Sequence, residues 1–256
     1  MSAEQQPIET AIGLEIAGNR SRTRRFLTIE IRNRYTALLI VIVAMMLVLP
    51  LIARDELALF SMKVAVSIIL VFGIYVGRRL RRDLIVGAAL GIPVLVGRWL
   101  PQYSTDIRMF LAIDILTAAF LLYVTIIILS QVLSARRVTL DTIAGAMCSY
   151  CLIGLAWAFV YRAMFVINPH SFVFASGSFA HIFEDHARSE PQLMNFAYYS
   201  FATLTTTGFG DVTPAMGNSR AISVLEAVAG QFFIAILIAR LVSLEIVHSA
   251  SRDQAS

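Results

Sequence analysis

Charge is what this sequence lacks most. Of its 256 residues only 15% are charged, whereas 58% are hydrophobic; a soluble domain has roughly 25% charged and 45–50% apolar residues. That excess cannot be hidden in one globular core, because surface-to-volume scaling leaves too much area facing water. Soluble enzyme, nucleic-acid binder and secreted disulfide scaffold are therefore poor readings, and the chain reads as a membrane protein. Lysine is nearly absent, with Lys63 the single example. The net charge of +4 and the pI of about 9.3 belong with arginines that orient membrane spans, not with a nucleic-acid partner. Cysteine is limited to Cys148 and Cys151 inside an apolar stretch, and this i,i+3 pair is read as small buried hydrophobes. A signal peptide is also missing, since Glu4, Glu9, Glu15 and Glu30 precede any long apolar run. No H-x-x-H, no pair of C-x-x-C motifs and no carboxylate cluster points to a metal site. No P-loop or nucleophile elbow points to an enzyme or a cofactor.

What is present is a series of apolar runs. A span needs about 20 apolar residues to cross roughly 30 Å of hydrocarbon, and six candidates occur at 36–53, 57–77, 84–97, 109–130, 142–161 and 221–239. The third contains Pro93 and is short; it crosses if Arg98 snorkels outward and Trp99 lies at the interface, and an interfacial helix is the other reading. With the N-terminus inside, the inner segments carry fourteen arginines and the outer segments six, the latter including Arg162. That bias follows the positive-inside rule. Arg78, Arg79, Arg81 and Arg82 form the strongest anchor, and the inner face is expected to lie on membrane lipid. Both termini are expected in the cytoplasm of a cell with the protein in its plasma membrane. The expected fold is all-α: a cytoplasmic segment 1–34, a four-helix membrane domain 35–140, a helix–loop–helix domain 141–247 and a short tail 248–256.

Between the fifth and sixth runs lies MNFAYYSFATLTTTGFGDVTP, residues 194–214. Phe196 to Leu204 reads as a short amphipathic helix, too short to cross. The following Thr205-Thr206-Thr207-Gly208-Phe209-Gly210-Asp211 cannot be an ordinary helix or strand, because its alternating glycines permit backbone conformations closed to other residues. Irregular backbone at membrane depth is tolerated only where protein buries it or it lines a wet cavity. A re-entrant loop follows.

This stretch resembles the selectivity loop of the tetrameric potassium channels. Thr206-Thr207-Gly208-Phe209-Gly210 is similar to the T-V-G-Y-G pattern, with Thr207 in place of Val, Phe209 in place of Tyr, and Asp211 matching the acidic residue that usually follows. The close match covers about twenty residues, and the flanking span–loop–span fits the pore module. The resemblance implies a potassium-selective channel that conducts passively, with carbonyls of Thr206, Thr207, Gly208 and Phe209 lining K+ sites and the Thr206 hydroxyl completing the innermost. It implies that Phe209 packs outward against the preceding helix, that Gly210 completes the filter, and that Thr205 and Asp211 support it. One loop per chain implies a homotetramer closed by cyclic symmetry. A non-selective cation channel, a potassium uptake transporter and a non-conducting scaffold or sensor are the alternatives; the transporter fits poorly, because it uses four non-identical loops in one long chain.

Four further residues stand out. Glu226 lies in the outer half of the sixth run, where an intramembrane carboxylate is by default functional. It either accepts hydrogen bonds from the short helix behind the filter or pairs with a neighbour such as Arg162. Gly230 falls mid-span, as a gating hinge or as a site of close packing. Lys63 and Asp114 lie at equal depth from the outer ends of the second and fourth runs, and a salt bridge between them is expected, since either alone in hydrocarbon is costly. His170, His181 and His186 read as solvated surface histidines. Between Arg108 and Arg136 no residue is basic, so the fourth run has no ladder of charges and the four-helix domain is not a voltage sensor.

Overall fold

Long apolar runs with no internal turn chemistry satisfy their backbone groups most cheaply as helices. In the computed structural model, which describes residues 34–52, 56–76, 81–100, 106–135, 139–175 and 190–253, each of the six runs is helical. They are α1 (Arg34–Ile52), α2 (Glu56–Val76), α3 (Arg81–Trp99), α4 (Ile107–Leu133), α5 (Leu140–Ile167) and, after the short helix α6 (Glu190–Leu204), α7 (Gly217–Asp253). Among the described residues, three helices are long and apolar enough to cross a membrane: α4, α5 and the Gly217–Arg240 part of α7. The first two contribute shorter apolar helical stretches, Tyr35–Leu47 and Lys63–Tyr75. The N-terminal segment 1–33, Arg78, Arg79, His181 and His186 lie outside the described residues. α7 runs on to Asp253, into the residues expected to form the tail.

Capping residues set the ends of the two central helices. The Asp106 side chain accepts from the Arg108 amide at the start of α4, and Thr139 accepts from the Thr142 amide at the start of α5, each satisfying an otherwise orphaned donor. α4 and α5 pack along one another over a core that includes Phe110, Phe120, Val124, Ile128, Leu152 and Phe159. Glycines admit the close approaches that membrane helices use in place of a hydrophobic drive. A Cβ on Gly97 of α3 would meet the Ile113 side chain of α4 at 2.2 Å, and one on Gly154 of α5 would meet the Phe201 ring of α6 at 2.8 Å. Arg240 of α7 donates to the Leu133 carbonyl that closes α4, at 3.0 Å.

Three expectations are corrected. Asp114 does not pair with Lys63; its partner is Arg162 of α5, whose Nε reaches Oδ2 at 2.8 Å and whose second nitrogen reaches Oδ1 at 2.5 Å, with both side chains fully buried. Equal depth fixes a residue's height but not its bearing around the helix, and Asp114 lies on the α4 face turned to α5. Arg162 is accordingly not in an outer loop: α5 continues to Ile167 because the aspartate neutralises the arginine within the helix pair. Nor does Arg98 snorkel outward. It is fully buried, with its guanidinium over the Phe159 ring at 5.4 Å, a cation–π contact that gains strength away from water. Trp99 beside it is half exposed and donates to the Ser67 hydroxyl at 3.2 Å.

The all-α expectation also acquires a small sheet. After α5 a single 3₁₀ turn, Pro169–Ser171, leads into strand β1 (Phe172–Phe174), which pairs antiparallel with β2 (Val212–Pro214) in the register Phe172↔Pro214, Val173↔Thr213 and Phe174↔Val212.

Candidate functional site: the loop between α6 and α7

The position of α6 follows from its aromatic face. Phe196 and Tyr199 of α6 meet Tyr161 and Phe165 of α5 and Phe172 of β1, with ring centroids 5.0 to 5.5 Å apart in edge and tilted geometries. Such pairs contribute about 0.5–1.5 kcal/mol each beyond their burial. The same face of α5 admits Phe201 over Gly154. The helix end is therefore held rigidly, and the loop hangs from it.

The chain leaves α6 through short backbone bonds. The amides of Thr207 and Gly208 both donate to the Ala202 carbonyl, at 2.8 and 3.1 Å, and that of Thr206 donates to Thr203 at 2.9 Å. Beyond them, positive φ recurs at every second residue: Thr206 at 56°, Gly208 at 56° and Gly210 at 81°. Left-handed backbone at the two glycines agrees with the reason for their presence. A Cβ at either would meet nothing within 4 Å, so the backbone conformation, not crowding, requires glycine there. Thr206 is the unexpected member. A β-branched residue at positive φ costs about 1–2 kcal/mol, and such strain persists only where surrounding contacts over-determine it. Its hydroxyl donates to the Thr205 carbonyl at 2.7 Å and receives a long contact of 3.4 Å from the Gln231 amide of α7.

The three threonines divide their work. Thr205 donates its hydroxyl proton to the Phe201 carbonyl at 2.7 Å. With that proton used, Thr207 is the donor in the 2.9 Å contact between the Thr205 and Thr207 hydroxyls. The hydroxyl by which Thr207 differs from valine is thereby satisfied within its own loop. Phe209 lies flat on Tyr198 of α6, with centroids 5.7 Å apart and planes 11° apart. Asp211 accepts from the Val212 amide at 3.0 Å, and its carbonyl accepts from the Ala175 amide at 2.8 Å, which extends the β1–β2 ladder by one bond toward the loop. In the single chain residues 205–210 are exposed.

Glu226 of α7 is fully buried behind α6. Ser200 of α6 and Tyr161 of α5 both hydrogen-bond its carboxyl, each at 2.5 Å, so of the two open readings the structure takes contact with the short helix, and Arg162 goes to Asp114. Beside it, Tyr199 and Ser223 share a 2.6 Å bond; because Ser223 donates to Ser219, Tyr199 is the donor to Ser223. Gly230 has a packing reason for being glycine: a Cβ there would come within 2.3 Å of the Leu204 carbonyl at the end of α6. That same carbonyl accepts from the Tyr150 hydroxyl at 3.1 Å.

The structure thus gathers Thr205 to Asp211, Glu226 and Gly230 into one region, while Lys63 and Asp114 lie apart from it and from each other. Sequence reasoning missed Tyr161, Ser200, Tyr198 and Gln231. Hydroxyl-bearing and amide residues inside apolar runs are a usable signal, since each must find a partner in hydrocarbon, but the signal does not name the partner. Residues 170–245 match a family model described as "Ion channel". No curated protein and no solved structure matched the chain.

Proposed function

We propose that the protein is a potassium-selective channel that conducts K+ passively through the loop 205–211, a reading supported by the match of residues 170–245 to an ion-channel family model. The observation that carries this reading is the positive φ at Thr206, Gly208 and Gly210. An ion entering a narrow pore must shed water, and the protein must supply oxygens in its place. Alternating left- and right-handed residues turn successive carbonyls of Thr206, Thr207, Gly208 and Phe209 toward one side, where they replace that water. Gly210 ends the alternation, and Thr205, Asp211 and the Glu226 cluster brace it.

One loop cannot encircle an ion, so the reading includes a homotetramer. In support, only 17% of the spanning window of α7 is buried in the single chain, against 50% for α4 and 61% for α5, and residues 205–210 are exposed as well. Six helices crossing a plasma membrane with both termini in the cytoplasm complete the proposal. α4 has Arg108 in its first turn and Asp114 as its only other charge, and Asp114 is held by Arg162, so a steep response to voltage is not expected.

Bi-ionic reversal potentials of the purified protein in planar bilayers test the reading. The unmodified protein is expected to prefer K+ strongly, while Gly208→Ala or Gly210→Ala abolishes K+ flux although the chain still folds and assembles. Near-equal permeability of Na+ and K+ in the unmodified protein would replace this reading with a non-selective cation channel.

A further inference from the structure

Tyr161 and Arg162 are consecutive residues of α5, and being about 100° apart around the helix they face different neighbours. Arg162 turns to α4, where it grips Asp114 at 2.8 and 2.5 Å and lies over the Phe110 and Phe159 rings at 4.9 and 5.3 Å. Tyr161 turns to α7 and gives its hydroxyl to Glu226 at 2.5 Å. Glu226 in turn holds Ser200 of α6 at 2.5 Å. Two residues further along α6, the Ala202 carbonyl receives the amides of Thr207 and Gly208. A line of short contacts, buried from Asp114 as far as Ser200 and continued along the α6 backbone, therefore runs from the fourth helix to the residues at the proposed ion sites.

We infer that Asp114 is a positioning residue for the filter, acting through Arg162 and Tyr161; the inference rests on the channel reading above. The physical element is the rotational setting of α5. A buried guanidinium that loses its carboxylate loses the charge that compensates it, and a turn of α5 that carries Arg162 away from α4 relieves the cost. Tyr161, rigidly one residue behind, turns with it and loosens its bond to Glu226. The α6 end and the Thr207 and Gly208 amides lose a brace, and the loop can admit ions that fit poorly. The role thereby assigned to the four-helix domain is to hold α5 at the angle the filter needs.

The test uses the full-length protein in liposomes, with the Na+/K+ permeability ratio as readout, because a merely structural role would alter yield and melting without altering discrimination. Asp114→Asn and Tyr161→Phe are each expected to raise the ratio about two- to thirty-fold, the range of coupling energies found along such networks, and the double variant to raise it no further than the larger single change. Should Asp114→Asn fail to fold, Arg162→Lys retains the charge but loses the two-pronged grip and is expected to shift the ratio in the same sense. Lys63→Met, a charge removed from the same domain but outside this line, is expected to leave the ratio at its original value. An unchanged ratio in Asp114→Asn or Arg162→Lys, independent additive effects at 114 and 161, or an equal shift from Lys63→Met overturns the inference while leaving the channel reading intact. An unmodified protein that does not prefer K+ overturns both.

Discussion

The two sides of α5 solve the problem of buried polarity differently. Toward α4, full charges are buried: Arg162 with Asp114, and Arg98 over the Phe159 ring. Toward α6 and α7, polarity is spread over Tyr161, Ser200, Glu226, Tyr199 and Ser223 in short bonds with hydroxyl donors. A buried charge pair is costly to break, because removing one member takes away charge compensation the other has in a dry site. A hydroxyl cluster can lose one member and keep most of its bonds. The loop 205–211 is served by the tolerant side, and α4 is attached by the intolerant one.

The sharpest way to break this comparison is to remove one charge. Arg162→Leu is expected to cost about 3–5 kcal/mol, the cost of leaving a buried ion uncompensated, seen as a large fall in detergent melting temperature. The double variant Asp114→Leu/Arg162→Met should recover most of that loss, since apolar replacement of a whole buried pair is often neutral. A double variant as unstable as Arg162→Leu would show that the pair's geometry, not its charge, holds the helices.

The hydroxyl side should yield in smaller steps. Ser200 has one proton but faces two oxygens, the Gly154 carbonyl at 2.7 Å and Glu226 at 2.5 Å. A group at 226 that brings its own proton toward Ser200 satisfies every member, and an amide does so. Glu226→Gln is therefore expected to melt close to the unmodified protein, whereas Glu226→Leu, which leaves the Tyr161 hydroxyl without its acceptor, should lose about 1–3 kcal/mol. Equal losses from both would show that a formal negative charge is needed behind the loop.

The smallest effect is expected at Thr207→Val. Thr205 keeps its bond to Phe201, so only one exposed hydroxyl contact is lost, worth at most about 0.5–1.5 kcal/mol. K+ flux should persist with unchanged ion preference. Loss of preference in this variant would mean that the Thr205–Thr207 hydroxyl contact, and not backbone conformation alone, sets the shape of the loop.

How much of this was legible depends on how local the cause is. The six helices and the irregular loop follow from hydropathy and glycine spacing, which act over neighbouring residues. The positive φ at Gly208 and Gly210 follows from glycine itself, whereas the positive φ at Thr206 comes from bonds to Thr203, Thr205 and Gln231 that composition does not reveal. Asp114 could be placed by depth but not by bearing, so its partner was misassigned to Lys63. The end of α5 was read six residues early because a hydropathy run stops at Arg162, although a charge neutralised by a neighbouring helix need not end a span. Strand β1 was invisible, because three residues pairing with a distant segment leave no periodic signature of their own.

That pairing has a kinetic meaning. The Thr213 hydroxyl meets the Val173 carbonyl across a separation of 40 residues, so α6 and the loop 205–211 form the interior of a closed loop whose two ends are stitched by β1 and β2. Closing such a loop costs entropy before any contact within it repays the cost, and contacts of this separation form late. The loop 205–211 should therefore acquire its geometry only after α5 has delivered β1 and synthesis has passed Pro214, making it one of the last parts of the chain to mature.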